Sequence, residues 1–325
     1  MKYKFALISF LALVLCGCHK VEEDKKPVVD GEVVWLQKAT EGKGIDLVIM
    51  GDGFTADMIR SGTYEERMRT VAESYFSERP LSDYRHLFNV CYIVAVSEQA
   101  GIGDGVNTCF GMKKEKSGSY IGSHSMVELY VENALGHERL QRSQNIVLGN
   151  YKEVGGTTYM ASVPDNDWGD GRSIAYIPMC NSDRMLRCVV LHESAGHGLG
   201  KLGDEYFYNG RGVIGESEKE KIRTYQQRGF YRNIDLTLDP LQVKWSRFIQ
   251  DPRYADEGLG VFKGAFYYEA GVYRPTNDSL MGEVRELFSS FNAPSREALY
   301  ITMHKFAFGD DWEYDYETFV EQDLK

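Results

Sequence analysis

Short apolar runs and amphipathic stretches alternate along the first half of this chain. Two amphipathic stretches, residues 65–76 and 126–135, place their apolar side chains on one face and therefore predict helices. Four apolar runs rich in β-branched residues predict buried strands, over residues 45–50, 88–96, 146–148 and 174–177. Because these strands alternate with helices, we expect an α/β domain (mixed α+β) around a central mixed sheet.

The second half of the chain has a different pattern. An apolar helical run over residues 185–191 leads into a segment rich in histidine and glycine. The segments beyond it predict an exposed charged helix, a short amphipathic helix, an aromatic β-hairpin and a long helix, over residues 216–231, 240–249, 261–273 and 295–308. The acidic end of the chain contains interspersed aromatic residues, which predicts a solvated terminus with some packing contacts.

The amino terminus is typical of an export signal. Lys2 and Lys4 precede an apolar run over residues 5–15, which is too short to span a bilayer as a helix. The run ends in Leu15-Cys16-Gly17-Cys18, which resembles the bacterial lipobox and implies lipidation of Cys18. An ordinary signal peptide is the alternative. We predict a signal peptide over 1–17, a lipidated tether over 18–32 and one domain over 33–325.

This organisation implies an exported lipoprotein of the cell envelope, at the outer membrane or the cell surface. The only membrane contact would be the lipid anchor, since no other stretch approaches transmembrane length. Lys and Arg total 37 against 48 Asp and Glu, for a net charge of −11, and no basic tract stands out. Nucleic acid is therefore not an expected partner. No pattern predicts an oligomeric state.

Four cysteines lie in the predicted domain: Cys91, Cys109, Cys180 and Cys188. In an exported protein they could form up to two disulfides, or they could be buried thiols. None of them has the Cys-x-x-Cys spacing of a zinc-thiolate site.

The candidate chemistry lies in His192-Glu193-Ser194-Ala195-Gly196-His197. Two histidines and a glutamate on one helix are typical of zinc hydrolases, but their usual histidine spacing is i, i+4. Here it is i, i+5, and at about 100° per residue the second imidazole would lie about 140° from the first. One π-type turn would bring both rings to one face. The spacing therefore predicts a π-bulge between Glu193 and His197.

Glycines after His197 end the helix and turn the chain, so that a third ligand can approach from outside it. Asp204 is the favoured candidate and Glu205 the second, because a carboxylate suits zinc alongside two imidazoles. We expect one catalytic Zn²⁺ with water in its fourth position and Glu193 as general base. Tyr206 could stabilise the oxyanion, or it could simply pack under the turn.

The spaced set His192-Glu193-x-x-Gly196-His197-x-x-Gly200-x-x-x-Asp204-Glu205-Tyr206 resembles the motif of the M64 metallopeptidases, the IgA peptidase family. Other segments resemble that family in the same order: residues 46–55, 88–90, 155–156, 273–275 and 279–281. The resemblance implies a zincin or metzincin-like catalytic domain, with Met281 as a Met-turn beneath the metal. A core methionine is the alternative there. Tyr273 and Arg274 could shape the cleft, or Arg274 could form an ion pair.

The function implied is zinc-dependent hydrolysis of peptide bonds in extracellular proteins or peptides. The alternative is a noncatalytic surface lipoprotein that binds a host protein or glycan on a zincin scaffold. An intact Glu193 favours the enzyme, and a structural zinc site is disfavoured because such sites usually have four protein ligands. The family name does not imply IgA as the substrate.

Overall fold

A computed structural model describes residues 27–161, 168, 171–283 and 290–325. The strands are β1 (Val33–Gln37), β2 (Ile45–Asp52), β3 (Phe88–Ile93), β4 (Lys113–Lys114), β5 (Tyr120–Ile121), β6 (Gln144–Gly149), β7 (Thr157–Met160), β8 (Ser173–Pro178), β9 (Phe262–Ala265) and β10 (Tyr268–Arg274). The signal peptide over 1–17, Cys18 and most of the tether lie outside the described residues. No helix within the described part is long and apolar enough to cross a membrane.

The α-helices are α1 (Ala56–Arg60), α2 (Thr63–Tyr75), α3 (His124–Leu135), α4 (His137–Leu140), α5 (Asp183–Val190), α6 (Glu216–Gln226), α7 (Ser246–Gln250), α8 (Ala293–Phe308) and α9 (Tyr316–Asp323). Short 3₁₀ helices cover Arg85–Leu87 and Pro252–Glu257, and a π-helix covers Leu191–Leu199.

Six strands form the central sheet in the order β1-β3-β2-β6-β8-β7. The four inner strands are parallel, whereas the edge strands β1 and β7 run antiparallel to their neighbours. Every residue of β2, β6 and β8 is buried, which explains their continuous apolar runs. The predicted mixed α/β fold with a central mixed sheet is confirmed. Both edge strands were missed because their half-buried residues make no such run.

Helices cover both faces of this sheet. Leu47 and Ile49 of β2 point to one face, where they join a core with α2, α5, the π-helix and α8. Val48 and Met50 point to the other face and pack with α3 and α4. This alternation follows from the two-residue period of a strand. The π-helix packs on the part of the sheet formed by β6, β8 and the edge strand β7.

The other predicted elements are present with shifted ends. The aromatic hairpin is β9–β10, and the predicted long helix is α8. The predicted helix over 216–231 ends at Gln226, and the one over 240–249 is reduced to α7. Asp235, which precedes the latter segment, accepts hydrogen bonds from the backbone N–H groups of Leu236 and Lys244. Residues 240–245 therefore form turns, and the helix begins only at Ser246. The acidic terminus forms α9, which was not predicted and buries Phe319 and Val320.

The four described cysteines form no disulfide, so the disulfide alternative is wrong for this structure. Burial raises the pKa of the Cys91 and Cys180 thiols to about 12. They are therefore protonated, poorly reactive thiols at neutral pH.

The Gly-Asp-Gly turn after β2 has a structural explanation. Asp52 is fully buried and accepts hydrogen bonds from the backbone N–H groups of Phe110 (2.9 Å) and Met112 (2.7 Å) and from the Thr108 hydroxyl (2.8 Å). Gly53 has a φ of 76°, and a Cβ there would collide with the carbonyl of Gly101. The turn therefore anchors the loop that leads into the β4–β5 hairpin.

Candidate active site

The helix that carries the two histidines changes type where the sequence spacing requires it. Ser182 caps α5 by accepting a hydrogen bond from the N–H of Met185, and the chain continues without a break as the π-helix Leu191–Leu199. The predicted π-bulge is therefore confirmed, although it extends over more than one turn. It brings the ring centroids of His192 and His197 to 4.8 Å from each other. A straight α-helix would have separated the two rings.

Three ligand atoms converge at this point. Oδ1 of Asp204 lies 3.2 Å from Nε2 of His192 and 3.3 Å from Nε2 of His197. The Nδ1 atoms face backbone carbonyls, that of Leu280 for His192 (2.7 Å) and that of Leu202 for His197 (2.8 Å). Each Nδ1 must therefore carry a hydrogen to donate, which leaves a lone pair on each neutral ring at Nε2.

This donor set fits a metal cation. Oδ1 of Asp204 is buried, and both imidazole Nε2 atoms lie within 3.3 Å of it. Two imidazole nitrogens and one carboxylate oxygen, all within 4.8 Å of one another, are ligands that a divalent metal accepts. A cation between them would satisfy all three atoms at once.

The electrostatics of these residues agree with this requirement. Burial disfavours the imidazolium of His197, but Asp204 outweighs it and raises the pKa of His197 to about 9. Burial likewise opposes ionisation of Asp204, yet the two histidines hold its pKa well below the usual range. A positive charge at this position is therefore strongly favoured, whether a proton or a metal supplies it.

Glu205 does not join the cluster. Its carboxylate is buried and accepts hydrogen bonds from Asn233 (2.8 Å), Ser279 (2.7 Å) and Asn292 (2.9 and 3.0 Å). Its backbone N–H donates to the carbonyl of Met281, at 2.6 Å. Burial raises the pKa of Glu205. Glu205 thus ties the Asp204 loop to the Met281 segment and to the start of α8.

Met281 lies directly against the π-helix. It is fully buried, and a Cβ on Gly196 would collide with its Sδ and lie 3.0 Å from its Cε. The two histidines flank this contact in sequence, so the methionine supports the helix beneath the ligand cluster. Tyr273 and Arg274 do not line the cleft; the Arg274 guanidinium donates to the carbonyls of Lys263, Gly264 and Thr276.

Tyr206 lines the cleft, and the structure adds Tyr267, which sequence reasoning missed. The Tyr206 ring lies 6.4 Å from the ring of His192 and 5.5 Å from that of Tyr267. The Tyr267 hydroxyl donates a hydrogen bond to Oδ2 of Asp204. Oδ2 is therefore held by a tyrosine, while Oδ1 faces the two histidines.

Tyr267 reaches this position through an unusual turn. Phe266 and Tyr267 form the two-residue loop between β9 and β10, with φ angles of 48° and 70°. Hairpin turns with two positive φ angles normally contain glycine or asparagine. The backbone N–H of Phe266 donates to the carbonyl of Asp204 (2.9 Å), and that of Tyr267 to the carbonyl of Tyr206 (3.0 Å). Because neither loop residue is glycine or asparagine, the sequence did not predict a turn at this position.

Glu193 lies between the π-helix and the edge strand β7. The Thr158 hydroxyl is 2.7 Å from Oε2 of Glu193 and 2.9 Å from its carbonyl oxygen. A Cβ on Gly156 would lie 2.6 Å from Cγ of Glu193, so only glycine allows this close approach. The cleft around these groups has a volume of about 550 Å³ and is lined by β7, the ligand cluster, the β4–β5 turn and the tyrosines.

A family model described as IgA Peptidase M64 matches residues 34–255, more than half of the chain. The chain belongs to the M64 peptidase family. The matched region includes His192, Glu193, His197 and Asp204 and ends before Tyr267. M64 peptidases are metal-dependent, in agreement with the donor set, so the coarse prediction of a metallopeptidase is supported.

Other comparisons add little. None of the curated proteins searched matches the M64 chain. Among solved structures, metalloproteinase-II from Bacteroides fragilis matches with 12% sequence identity and a TM-score of 0.27. The match covers 54% of this chain and 46% of that one, so the chain spans less than half of that protein's length. So low a structural similarity carries no argument about function.

We predict that Gly196→Ala destabilises the protein and weakens metal binding. Met281 is fully buried and cannot swing into solvent, so the added methyl group overpacks the contact, at a typical cost of about 1–3 kcal/mol. Thermal unfolding and a metal titration measure the two effects. Gly215→Ala is the control, because nothing lies within 4 Å of a Cβ there. Equal stability of the Gly196→Ala variant and the wild type would contradict the packing role of Met281.

We predict that Tyr267→Phe lowers the affinity for a divalent metal by roughly tenfold, since loss of a partner that orients a metal ligand typically costs 10–100-fold. The ring remains, and only the hydroxyl on Oδ2 of Asp204 is removed. Competition with a chelating dye measures the affinity. Tyr268→Phe, in the same hairpin but without a side-chain bond to Asp204, should bind like the wild type. Unchanged affinity for Tyr267→Phe would show that the hydroxyl does not orient Asp204.

Proposed function

We propose that this M64 chain is a zinc-dependent endopeptidase that hydrolyses peptide bonds of extracellular proteins. His192, His197 and Asp204 would hold one Zn²⁺, and Glu193 would act as general base. The observation that carries the proposal is the convergence of the buried Oδ1 of Asp204 with two imidazole Nε2 atoms, at 3.2 and 3.3 Å.

Zinc is the metal that this donor set favours. Catalytic zinc sites commonly have three protein ligands drawn from histidine and carboxylate, and they leave one position open. Two imidazoles exclude the all-oxygen environment that calcium and magnesium prefer. When bound, zinc supplies Lewis acidity and lowers the pKa of water.

Glu193 is placed to move the proton. It follows the ligand His192 directly in sequence and lines the same cleft. Thr158 donates to Oε2, which leaves Oε1 available to take a proton from an attacking water. The same carboxylate can then transfer that proton to the leaving amine. Tyr206, which lines the same cleft and whose ring lies 6.4 Å from that of His192, is our candidate donor for the oxyanion.

An extended peptide fits the edge of the sheet. Among the described strands, β7 pairs only with β8, and its residues 157, 158 and 160 line the cleft next to Glu193. A free strand edge offers backbone N–H and C=O groups that can pair with an extended chain. This supports a peptide substrate held across Glu193.

We predict that Glu193→Gln lowers kcat by about 10²–10⁴-fold on any cleaved peptide, because the amide cannot accept the proton. Cleavage is followed with a mixture of quenched peptides and with denatured proteins, and metal content by elemental analysis. The variant should retain the metal, since Glu193 is not in the ligand cluster. Equal cleavage by both proteins would refute the general base. A wild type that binds zinc but cleaves nothing would favour the alternative, a noncatalytic binding protein.

We also propose that the protein is exported and anchored to the cell envelope through a lipid on Cys18, on the basis of Leu15-Cys16-Gly17-Cys18. We predict that Cys18→Ser abolishes incorporation of labelled fatty acid and shifts the full chain from the membrane to the soluble fraction. Cys16→Ser is the matched control and should remain membrane-bound. Equal labelling of the Cys18→Ser variant would contradict the anchor.

A further inference from the structure

An arginine, Arg211, lines the cleft that contains the two histidines. Arg211 is the only arginine or lysine among the described residues that form the cleft lining. Its guanidinium carbon lies 5.7 Å from the ring centroid of Tyr267 and 5.0 Å from that of Tyr268. Tyr267 in turn donates its hydroxyl to Asp204. A single tyrosine therefore connects the guanidinium to the ligand cluster.

No acidic side chain among the described residues neutralises the charge of Arg211. Its side chain is solvent-exposed, and no carboxylate of the described chain lies within 4.0 Å of its guanidinium nitrogens. The nearby Glu269 instead accepts a hydrogen bond from the backbone N–H of Gly212, at 2.9 Å. Other arginines stacked on tyrosines differ in this respect, since Arg247 and Arg253 both pair with carboxylates.

Cation–π contact with two tyrosine rings holds this guanidinium without using its hydrogen-bond donors. A guanidinium over aromatic rings keeps its five N–H groups directed outward in its plane, in a fork that matches a carboxylate. The position of Tyr267 is itself restrained, because the β9–β10 turn is bonded to the backbone of Asp204 and Tyr206. Little conformational entropy is therefore lost when an anion binds to this fork.

We propose that Arg211 is a specificity-determining residue that binds a carboxylate of the peptide substrate close to the scissile bond. This inference rests on the proposed peptidase function. The carboxylate belongs to an aspartate or glutamate side chain or to the carboxyl terminus of the peptide. The Arg211 guanidinium is separated from Asp204 only by the side chain of Tyr267. Because an extended chain advances about 3.3 Å per residue, the bound carboxylate would lie within about three residues of the cleaved bond.

The test uses quenched peptides built around a bond that the wild-type protein cleaves. One set carries glutamate, glutamine or lysine at each of three positions on either side of the bond, with blocked termini. A second set lacks acidic residues and has either a free or an amidated carboxyl terminus. The zinc-loaded wild type, Arg211→Gln, Arg211→Lys and the control Arg223→Gln are compared by kcat/KM. Arg223 is an exposed residue of α6 outside the cleft lining.

We expect the wild type and Arg223→Gln to cleave one carboxylate-bearing peptide at least tenfold faster than its neutral partner. Arg211→Gln should reduce that ratio to below twofold; because the ratio compares two peptides with the same variant, a general loss of activity cancels from it. Arg211→Lys should recover part of the ratio, because it restores the charge but not the fork. A preference within the first set identifies a side chain, and one within the second set identifies the carboxyl terminus.

The inference is overturned if the wild type shows no such ratio, or if Arg211→Gln retains it. Cleavage of neutral peptides by the wild type and by Glu193→Gln separates this failure from failure of the proposed function, since the proposed function requires Glu193 for that cleavage. Cleavage of neutral peptides without any effect of Arg211 would leave the peptidase standing and remove only the carboxylate site.

Discussion

The buried carboxylate of Asp204 is the feature on which the rest of the site depends. Its Oδ1 lies within 3.3 Å of both histidine Nε2 atoms, and a buried carboxylate in this position requires a positive charge beside it. The surrounding hydrogen bonds all direct these atoms toward one point. Nδ1 of each histidine is engaged by a backbone carbonyl, and Oδ2 of Asp204 by Tyr267. The orientation of all three groups is therefore fixed by the protein's own hydrogen bonds.

This organisation relies on elements distant in sequence. The Glu205 network joins the ligand loop to Ser279 and to Asn292, which also caps α8 by accepting the N–H of Ser295. Met281 supports the π-helix from beneath at Gly196. The strained Phe266–Tyr267 turn completes the site from a third direction, and backbone strain of this kind is typically retained at functional positions. Disturbing any of these contacts should displace the ligands.

Much of the fold could be read from hydrophobic patterning. The inner strands are buried on both faces, so their sequences contain continuous apolar runs, and α2 and α3 place apolar side chains on the face toward the sheet. The edges β1 and β7 could not be found in this way because half-buried strands have no distinctive run. β7 is functionally important, since it places Thr158 against Glu193.

The sequence by itself predicted the π-bulge, because two histidines at i, i+5 can reach one face only if the helix absorbs a residue, and it named His192, His197 and the Asp204-Glu205 pair as candidate ligands. Only the tertiary structure decided between Asp204 and Glu205 as the group facing the histidines. Adjacent residues on a turn point in different directions, and the partners that orient them, Asn233, Ser279, Asn292 and Tyr267, come from remote segments. Contacts over such separations leave no local pattern in the chain, and for the same reason the stacking of Arg211 on the hairpin tyrosines appeared only in three dimensions.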